Sequence, residues 1–547
     1  MSSLPNVMQA QCATTGNINA APSICPSSSI GPRLTLTTIY YSLSDMMASG
    51  PNPQVRFIVA CPRSGSTLLM RIFAEAPQCA VTSRLVLMGN HGKTTEFVPN
   101  YAIFSDPTAV KAYQEAVGDR KLFLVNKEEL GNNTRKGECS YDVFSSSKDY
   151  DAVKPVFLIR DPVRVFDSWK NVGWMDMQSL FDCYDNIFRM QKEAPNAPCQ
   201  LVYEKLVHNK SAQTARVCDW WNISFSDDLL DFKKDFGDFT FNSDREQQIY
   251  QKDKPLGLFQ TVEAHSTVKS DIKSHGHLSN EEKYQIECRV GRMYMGCWQP
   301  EVDKLRASLA VKAVFAFDLD DTLHEFRKAS GAAVSATLFT MQREIPSLHG
   351  LSVADLKAQY ASILADKTAS AFVDGKTSHE NRKTRFTALL TAFSVVATDV
   401  QMDSFLAVYE ETLTANLELK CGALDVLKTV KALGKKTVII TEGPEDAQVR
   451  TVNALGLTPY IDHLVTTGKF GVSKTTGLYK KVLEHLHISA ADIVMVGDNF
   501  ARDMVPAVEL GILAVHYAES ENFSLDTETV KINTLKKLEF IVSAAED

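Results

Sequence analysis

Phe317-Asp318-Leu319-Asp320-Asp321-Thr322-Leu323 follows the strand-like run Val311–Phe317 in the second half of this 547-residue chain. Side chains alternate along a strand, so Asp318 and Asp320 fall on one side and Leu319 on the other. Two carboxylates this close at the C-terminal end of a strand repel each other, and the arrangement is costly unless a cation sits between them. Such a pair offers one nucleophile and one acid or base. Read alone, the heptad is also compatible with a chance acidic loop.

Three further stretches follow in order. Val438-Ile439-Ile440-Thr441 puts a hydroxyl at the end of a second strand. Gly471-Val472-Ser473-Lys474 supplies an ammonium able to neutralise a phosphoryl oxygen. Ile493-Val494-Met495-Val496-Gly497-Asp498-Asn499-Phe500-Ala501-Arg502-Asp503 ends a third strand in two acids, Asp498 and Asp503. Each is weak alone; their succession is not expected by chance.

The four stretches resemble the four sequence motifs of the haloacid dehalogenase superfamily over roughly Val311 to Tyr517. The resemblance implies a Rossmann-like parallel sheet in which Asp318 attacks phosphorus and forms an aspartyl-phosphate. Asp320 is then the acid that protonates the leaving oxygen and the base that activates water. Thr441 and Lys474 hold the transferring oxygens. Mg²⁺ is implied, held by Asp318, Asp498 and the backbone carbonyl of Asp320, with Asp503 orienting its shell. Lys469 competes for the third motif, but Lys474 has the better context just before a helix. Members that cleave carbon–halogen bonds lack a carboxylate two residues after the nucleophile, so Asp320 favours a phosphatase. The insert from about Glu325 to Leu417, Ala- and Leu-rich with helical periodicity, resembles the helical cap placed after the first motif, which sets specificity.

The first half carries a different signal. Val55–Ala60 reads as a strand, and Cys61-Pro62-Arg63-Ser64-Gly65-Ser66-Thr67-Leu68-Leu69 as a small-residue turn opening a helix. Backbone N–H groups at a helix start converge on anions, and Arg63 adds a permanent cation. The turn lacks both the spacing and the Lys of a Walker A loop, which disfavours an ordinary NTPase or kinase. It resembles the 5′-phosphosulfate loop of sulfotransferases, with Arg in place of Lys. Val156-Phe157-Leu158-Ile159-Arg160-Asp161-Pro162, with Ser168 eight residues after Arg160, resembles that family's 3′-phosphate site. Leu201–Leu206 and the helix from Ser279 to Met295, ending near Trp298, are softer matches. The resemblance, over about Val55 to Trp298, implies 3′-phosphoadenosine 5′-phosphosulfate as donor, bound by Arg63, Ser64, Gly65, Ser66, Thr67, Arg160 and Ser168. The acceptor's general base stays open between His91, in Gly89-Asn90-His91-Gly92, and Glu204. Lys269 and Lys273 are candidates for late cationic contacts or simply a solvated face.

Length and composition frame these readings. The chain is too long for one core, so a tail over residues 1–52, a P-loop-type domain over 53–305 and a second domain over 310–547 are expected, with 325–417 as cap. The first 52 residues hold only two charged side chains, Arg33 and Asp45, and cannot bury much; a short ordered piece fits best around Leu34–Leu43. Strands alternating with helices predict two mostly parallel α/β sheets. A net charge of -8 excludes a general nucleic-acid footprint. Eleven cysteines without a Cys-x-x-Cys pair fit reduced thiols rather than a disulfide framework or zinc site. No apolar run approaches the roughly 18–20 residues that span a bilayer, and the N-terminus lacks a secretory pattern, so a cytoplasmic enzyme of small-molecule substrates is expected. The leading expectation is a bifunctional enzyme, sulfotransferase-like then phosphatase. Its alternatives are a phosphatase with a degenerate nucleotide-binding or P-loop kinase-like first half, and a non-enzymatic nucleotide sensor or scaffold.

Overall fold

The strands are short and mostly buried on both faces, the pattern expected where helices cover a parallel sheet from two sides. A computed structural model of the chain describes residues 52–87, 97–131, 137–234, 264–269, 276–368, 373–525 and 530–543. His91, Lys273, the stretch Leu34–Leu43 and all but the last residue of the expected tail lie outside these described residues.

The N-terminal sheet has five parallel strands: β1 (Gln54–Ala60), β2 (Cys79–Ser83), β3 (Phe123–Glu129), β4 (Val156–Ile159) and β5 (Cys199–Val202), in the order β2-β3-β1-β4-β5. The C-terminal sheet has six: β6 (Val314–Phe317), β7 (Lys436–Thr441), β8 (His463–Thr466), β9 (Ile493–Gly497), β10 (Leu513–Tyr517) and β11 (Val530–Ile532). Their order is β11-β10-β9-β6-β7-β8, again all parallel. In both sheets the strand carrying the first motif is interior. Its C-terminal end therefore opens into a crevice flanked by neighbouring strand ends, where ligands of open α/β sheets bind.

The insert after β6 is helical throughout its described residues, with long helices at Phe326–Glu344, Val353–Thr368, Ser378–Ala392 and Asp399–Ala415. It has its own core, including Leu338, Met341, Phe386, Phe405 and Leu406, separate from the cores under the sheets.

The two sheets are not joined by a loose linker. The expected boundary between 305 and 310 falls inside the helix Gln299–Ala310, and Gly50–Asp547 is one compact unit. One apolar cluster runs through both halves: the Trp298 ring meets Phe523 edge-on at 5.1 Å, and Tyr294 meets the same ring at 5.9 Å. Beside it Lys537, fully buried near the C-terminus, sits 3.0 Å from Asp161 and 2.5 Å from Glu287 of the first half. Asn533 donates to Asp161 at 2.8 Å, and Thr534 donates to Glu287 at 2.8 Å. Burial alone would raise the Asp161 pKa, but Lys537 and Asn533 outweigh it and hold the group ionised. Glu287 is pushed up by burial and by the Asp161 charge. Among the described residues no helix is long and apolar enough to cross a membrane.

Candidate active site

Strand β6 aligns Phe317 with Val496 of β9 and with Ile439 of β7. Asp318, one step beyond, is held at that level by its N–H donating to Val496 O at 2.9 Å. Leu319 turns away and is completely buried, while the Asp320 side chain keeps 21% exposure. Asp321 adopts φ +64°, a left-handed kink that Asp tolerates and that turns the chain back toward the strand end. Thr322 then donates to Asp318 Oδ2 at 3.1 Å and accepts from the Asp498 N–H at 3.0 Å, which locks the first and fourth motifs together.

Lys474 Nζ lies 2.5 Å from Asp318 Oδ1 and 2.5 Å from Asp503 Oδ1, with its side chain only 3% exposed. Lys469 instead pairs with Glu445 at 3.0 Å and is 54% exposed, so the two candidate lysines separate cleanly. Asp503 sits in a π-helical turn, Phe500–Met504, and its Oδ2 accepts from the Asn499 N–H at 3.0 Å. Gly497 makes room for it: a Cβ there would lie 2.5 Å from Asp503 Oδ2.

Oxygens of Asp318, Asp498 and Asp503 come within 4.8 Å of one another. Burial, with the charges of Asp503, Asp498 and Asp320 adding to it, drives the Asp318 pKa well above the carboxylate range despite Lys474. Burial and Asp503 also raise Asp498. Three clustered carboxylates against the Lys474 ammonium and the exposed Arg327 guanidinium leave a surplus of negative charge that a hard divalent cation with oxygen ligands fits. The Asp320 carboxylate stands outside this group. Its Oδ1 is 3.0 Å from His324 Nε2, and its Oδ2 accepts from Gln448 Nε2 at 3.2 Å. Thr441 Oγ1 is buried with no hydrogen-bond partner. A buried hydroxyl left open at a strand end fits an oxygen supplied by a ligand.

Thr322, His324, Gln448 and Arg327 were not singled out in the sequence. Arg327, at the start of the first cap helix and 71% exposed, reaches Asp321 at 3.2 Å and Asp498 at 3.3 Å. His324 is fully buried, and Gln448 is 5% exposed. A buried His four residues after an acid was the available signal for the first of these; Gln448 comes from a helix that only folding brings near.

In the first half the loop after β1 is bent by two left-handed residues, Arg63 (φ 71°) and Gly65 (φ 92°). Gly65 lies on the Tyr203 ring, where a Cβ would fall 2.4 Å from Cδ2. Arg63 Nε donates to Ser168 Oγ at 3.0 Å, and Arg160 Nη1 donates to Arg63 O at 2.9 Å. The Arg160 guanidinium lies 4.3 Å from the centroid of Tyr203. Arg63, Arg160 and Ser168 are therefore brought together across 105 residues of sequence. The Ser64 hydroxyl and Arg160 Nε are buried without partners. Ser66 Oγ donates to Glu129, the last residue of β3, and Lys127 Nζ donates to Thr67 Oγ1 at 3.2 Å. Burial would raise the Glu129 pKa, but Lys127, Arg84 and Ser66 overcome it and hold it at about 2. Glu129 and Lys127 are further residues the sequence reading missed, because β3 itself was not predicted. Glu204 accepts from the Asp161 N–H at 3.1 Å, and burial with the nearby Asp161 charge pushes it up to about 7. Lys269 is exposed.

Residues 312–511 match the family described as haloacid dehalogenase-like hydrolase. Glyceraldehyde 3-phosphate phosphatase of Methanocaldococcus jannaschii is 26% identical over 235 residues, 41% of this chain and 93% of that protein. Ribulose-1,5-bisphosphate 5-phosphatase of Halopiger xanaduensis is 26% identical over 210 residues, 38% of this chain and 84% of that protein. Among solved structures, the 2-haloacid dehalogenase of Pseudomonas syringae is 20% identical with a TM-score of 0.35, covering 42% of this chain and 98% of its own.

Proposed function

We propose that this chain, whose residues 312–511 form a haloacid dehalogenase-like hydrolase domain, is a Mg²⁺-dependent phosphatase of small phosphorylated metabolites. The observation that carries this is Asp320: a second carboxylate two residues from Asp318, held by His324 and Gln448 and clear of the Asp318, Asp498 and Asp503 group. A leaving alkoxide needs a proton and a leaving halide does not, so a dedicated acid selects phosphoester cleavage. The similarity to sugar-phosphate phosphatases points the same way.

Asp318 attacks phosphorus and its carboxylate oxygen forms the bond to the phosphoryl group as the ester oxygen leaves. Asp320 delivers the proton to that oxygen, then takes one from the water that opens the aspartyl-phosphate. The Thr441 hydroxyl and the Lys474 ammonium hold the equatorial oxygens as negative charge grows on them. Asp318, Asp498 and Asp503, with the Asp320 carbonyl, would hold Mg²⁺, which would supply neutralisation of the negative charge that builds up during transfer. Phosphate release from a panel of phosphomonoesters, including glyceraldehyde 3-phosphate, tests the reading. It is expected to stop on chelation and in Asp318→Asn. Release that survives Asp318→Asn overturns the mechanism.

For the first half the best-supported reading is a P-loop-type domain that binds the phosphates of a nucleotide. The specific arrangement of Arg63, Ser168 and Arg160 favours sulfuryl transfer from 3′-phosphoadenosine 5′-phosphosulfate as its activity, with Arg63 and the loop N–H groups facing the transferring group. Calorimetry with adenosine 3′,5′-bisphosphate and ATP separates the readings. Binding of the bisphosphate without turnover of the sulfate donor leaves a nucleotide-binding domain, and preference for ATP selects the kinase-like alternative.

A further inference from the structure

The insert joins the C-terminal sheet through two linkers, one leaving β6 and one returning toward β7. They lie side by side: His324 bridges Leu419 in antiparallel fashion, the Glu325 N–H donates to Glu418 O at 2.9 Å, and the Lys420 N–H donates to Leu323 O at 3.0 Å. This two-stranded ribbon is the linker, or hinge, between cap and sheet, and its first strand follows directly on Asp320.

The ribbon is gripped from the other half of the chain. Asn280, the first residue of the helix Asn280–Ile286, donates through Nδ2 to Glu325 Oε1 at 3.0 Å and to Glu418 Oε1 at 3.0 Å. One amide thus ties both hinge strands. Its orientation is fixed by chemistry, since only the NH₂ side can face two carboxylates. The helix is anchored by a capping box between Ser279 and Glu282 and by Lys170 on Glu282 at 2.7 Å. Around the amide, Lys420 joins Glu325 to Glu519 at 2.6 Å each, Lys283 also pairs with Glu519, and Lys328 pairs with Glu418. A cavity of about 690 Å³ beside the clamp is lined by Asn280, Lys283, Glu418 and Asp498, so it runs from the hinge to a carboxylate of the cation site.

We propose that Asn280 is a positioning residue for the hydrolase, contributed by the N-terminal half, and that it sets the angle at which the cap stands over Asp318 and Asp320. Bonds from an amide to two carboxylates are stronger than neutral ones, and the helix bearing them belongs to a rigid sheet domain. The first half thereby acts on phosphatase turnover through the hinge, whatever it binds in its own loop. This rests on the phosphatase reading for its kinetic test and stands independently of it in its structural one.

The test uses the full chain with Asn280→Ala and Asn280→Asp, each checked for an unchanged thermal midpoint. Asn280→Ala frees the two strands and is expected to lower kcat/KM toward a phosphomonoester by about tenfold, moving kcat and KM together as hinge changes do. Asn280→Asp adds a third carboxylate against two and is expected to exceed that loss. In both, hydrogen exchange of residues 320–326 and 416–420 quickens while the strands β6 and β9 keep their protection. Turnover within twofold of the parent together with unchanged hinge exchange overturns the proposal. Should the parent hydrolyse no phosphomonoester, the phosphatase reading fails and the hinge exchange alone decides this one.

Discussion

The loop Cys61–Thr67 and the loop Asp318–Leu323 occupy equivalent places, each at the C-terminal end of an interior strand of a parallel sheet, yet they are built with opposite sign. Around the first stand Arg63 and Arg160, with the Ser64 hydroxyl and Arg160 Nε buried and unpartnered. Around the second, Asp318, Asp498 and Asp503 cluster, with the buried ammonium of Lys474 on Asp318 and Asp503 and the exposed Arg327 on Asp498. The first loop gathers two guanidiniums and the second three carboxylates. The same crevice can thus carry loops of opposite charge, because what a parallel sheet supplies is the place and what the loop supplies is the charge. The first half also reaches past its own site: it shares a buried ion cluster with the C-terminal helix and holds the hinge of the cap.

That contrast can be broken or sharpened, beginning with what joins the halves. Lys537→Met strands the carboxylates of Asp161 and Glu287 in the interior and is expected to destabilise the chain by about 3–5 kcal/mol in chemical denaturation. A loss under about 1 kcal/mol would mean that the two carboxylates are satisfied without it. Next, Lys474→Met removes the buried ammonium that pairs with Asp318 and Asp503, and kcat for phosphomonoester hydrolysis is expected to fall by about 10²–10³-fold. Equal activity in Lys469→Met and Lys474→Met would return the third motif to dispute.

A pH test separates the halves further. Glu204 has its pKa raised from 4.5 to about 7 by burial and by Asp161. A raised acid contributes stability that is fully present below about 4.5 and is lost as pH climbs through about 7, by about 3 kcal/mol at most. Glu204→Gln should remove that slope from thermal midpoints measured across the window; identical slopes in parent and variant would show that Glu204 does not titrate there. The smallest effect is expected at the basic site. Arg160→Ala should weaken adenosine 3′,5′-bisphosphate about tenfold in calorimetry while leaving phosphate release unchanged. No binding by the parent would withdraw the sulfuryl-transfer reading.

Legibility in the sequence followed locality. Strands β1, β4, β6, β7 and β9 were readable because each is an apolar run ended by chemistry-bearing residues. Strand β3 was not, since Asn126, Lys127, Glu128 and Glu129 are polar and yet all buried. Tertiary partners make that possible: Glu128, pushed up by burial, accepts from Asn126, the Val86 and Leu87 N–H groups and Tyr141, none of which periodicity displays. Strand β5 ends at Val202, inside the match Leu201–Leu206, because Tyr203 opens the next helix and lays its ring under Gly65.

By itself, then, the sequence determined the two α/β halves, the helical insert and the order of Asp318, Asp320, Thr441, Lys474 and Asp498, because alternation and apolar runs are properties of adjacent residues. Tertiary structure alone decided that His324 and Gln448 hold Asp320 and that Asn280 ties the cap's linkers. Each of those depends on which side chains lose their water together. That is settled by packing between elements far apart in the chain, and no local pattern records it.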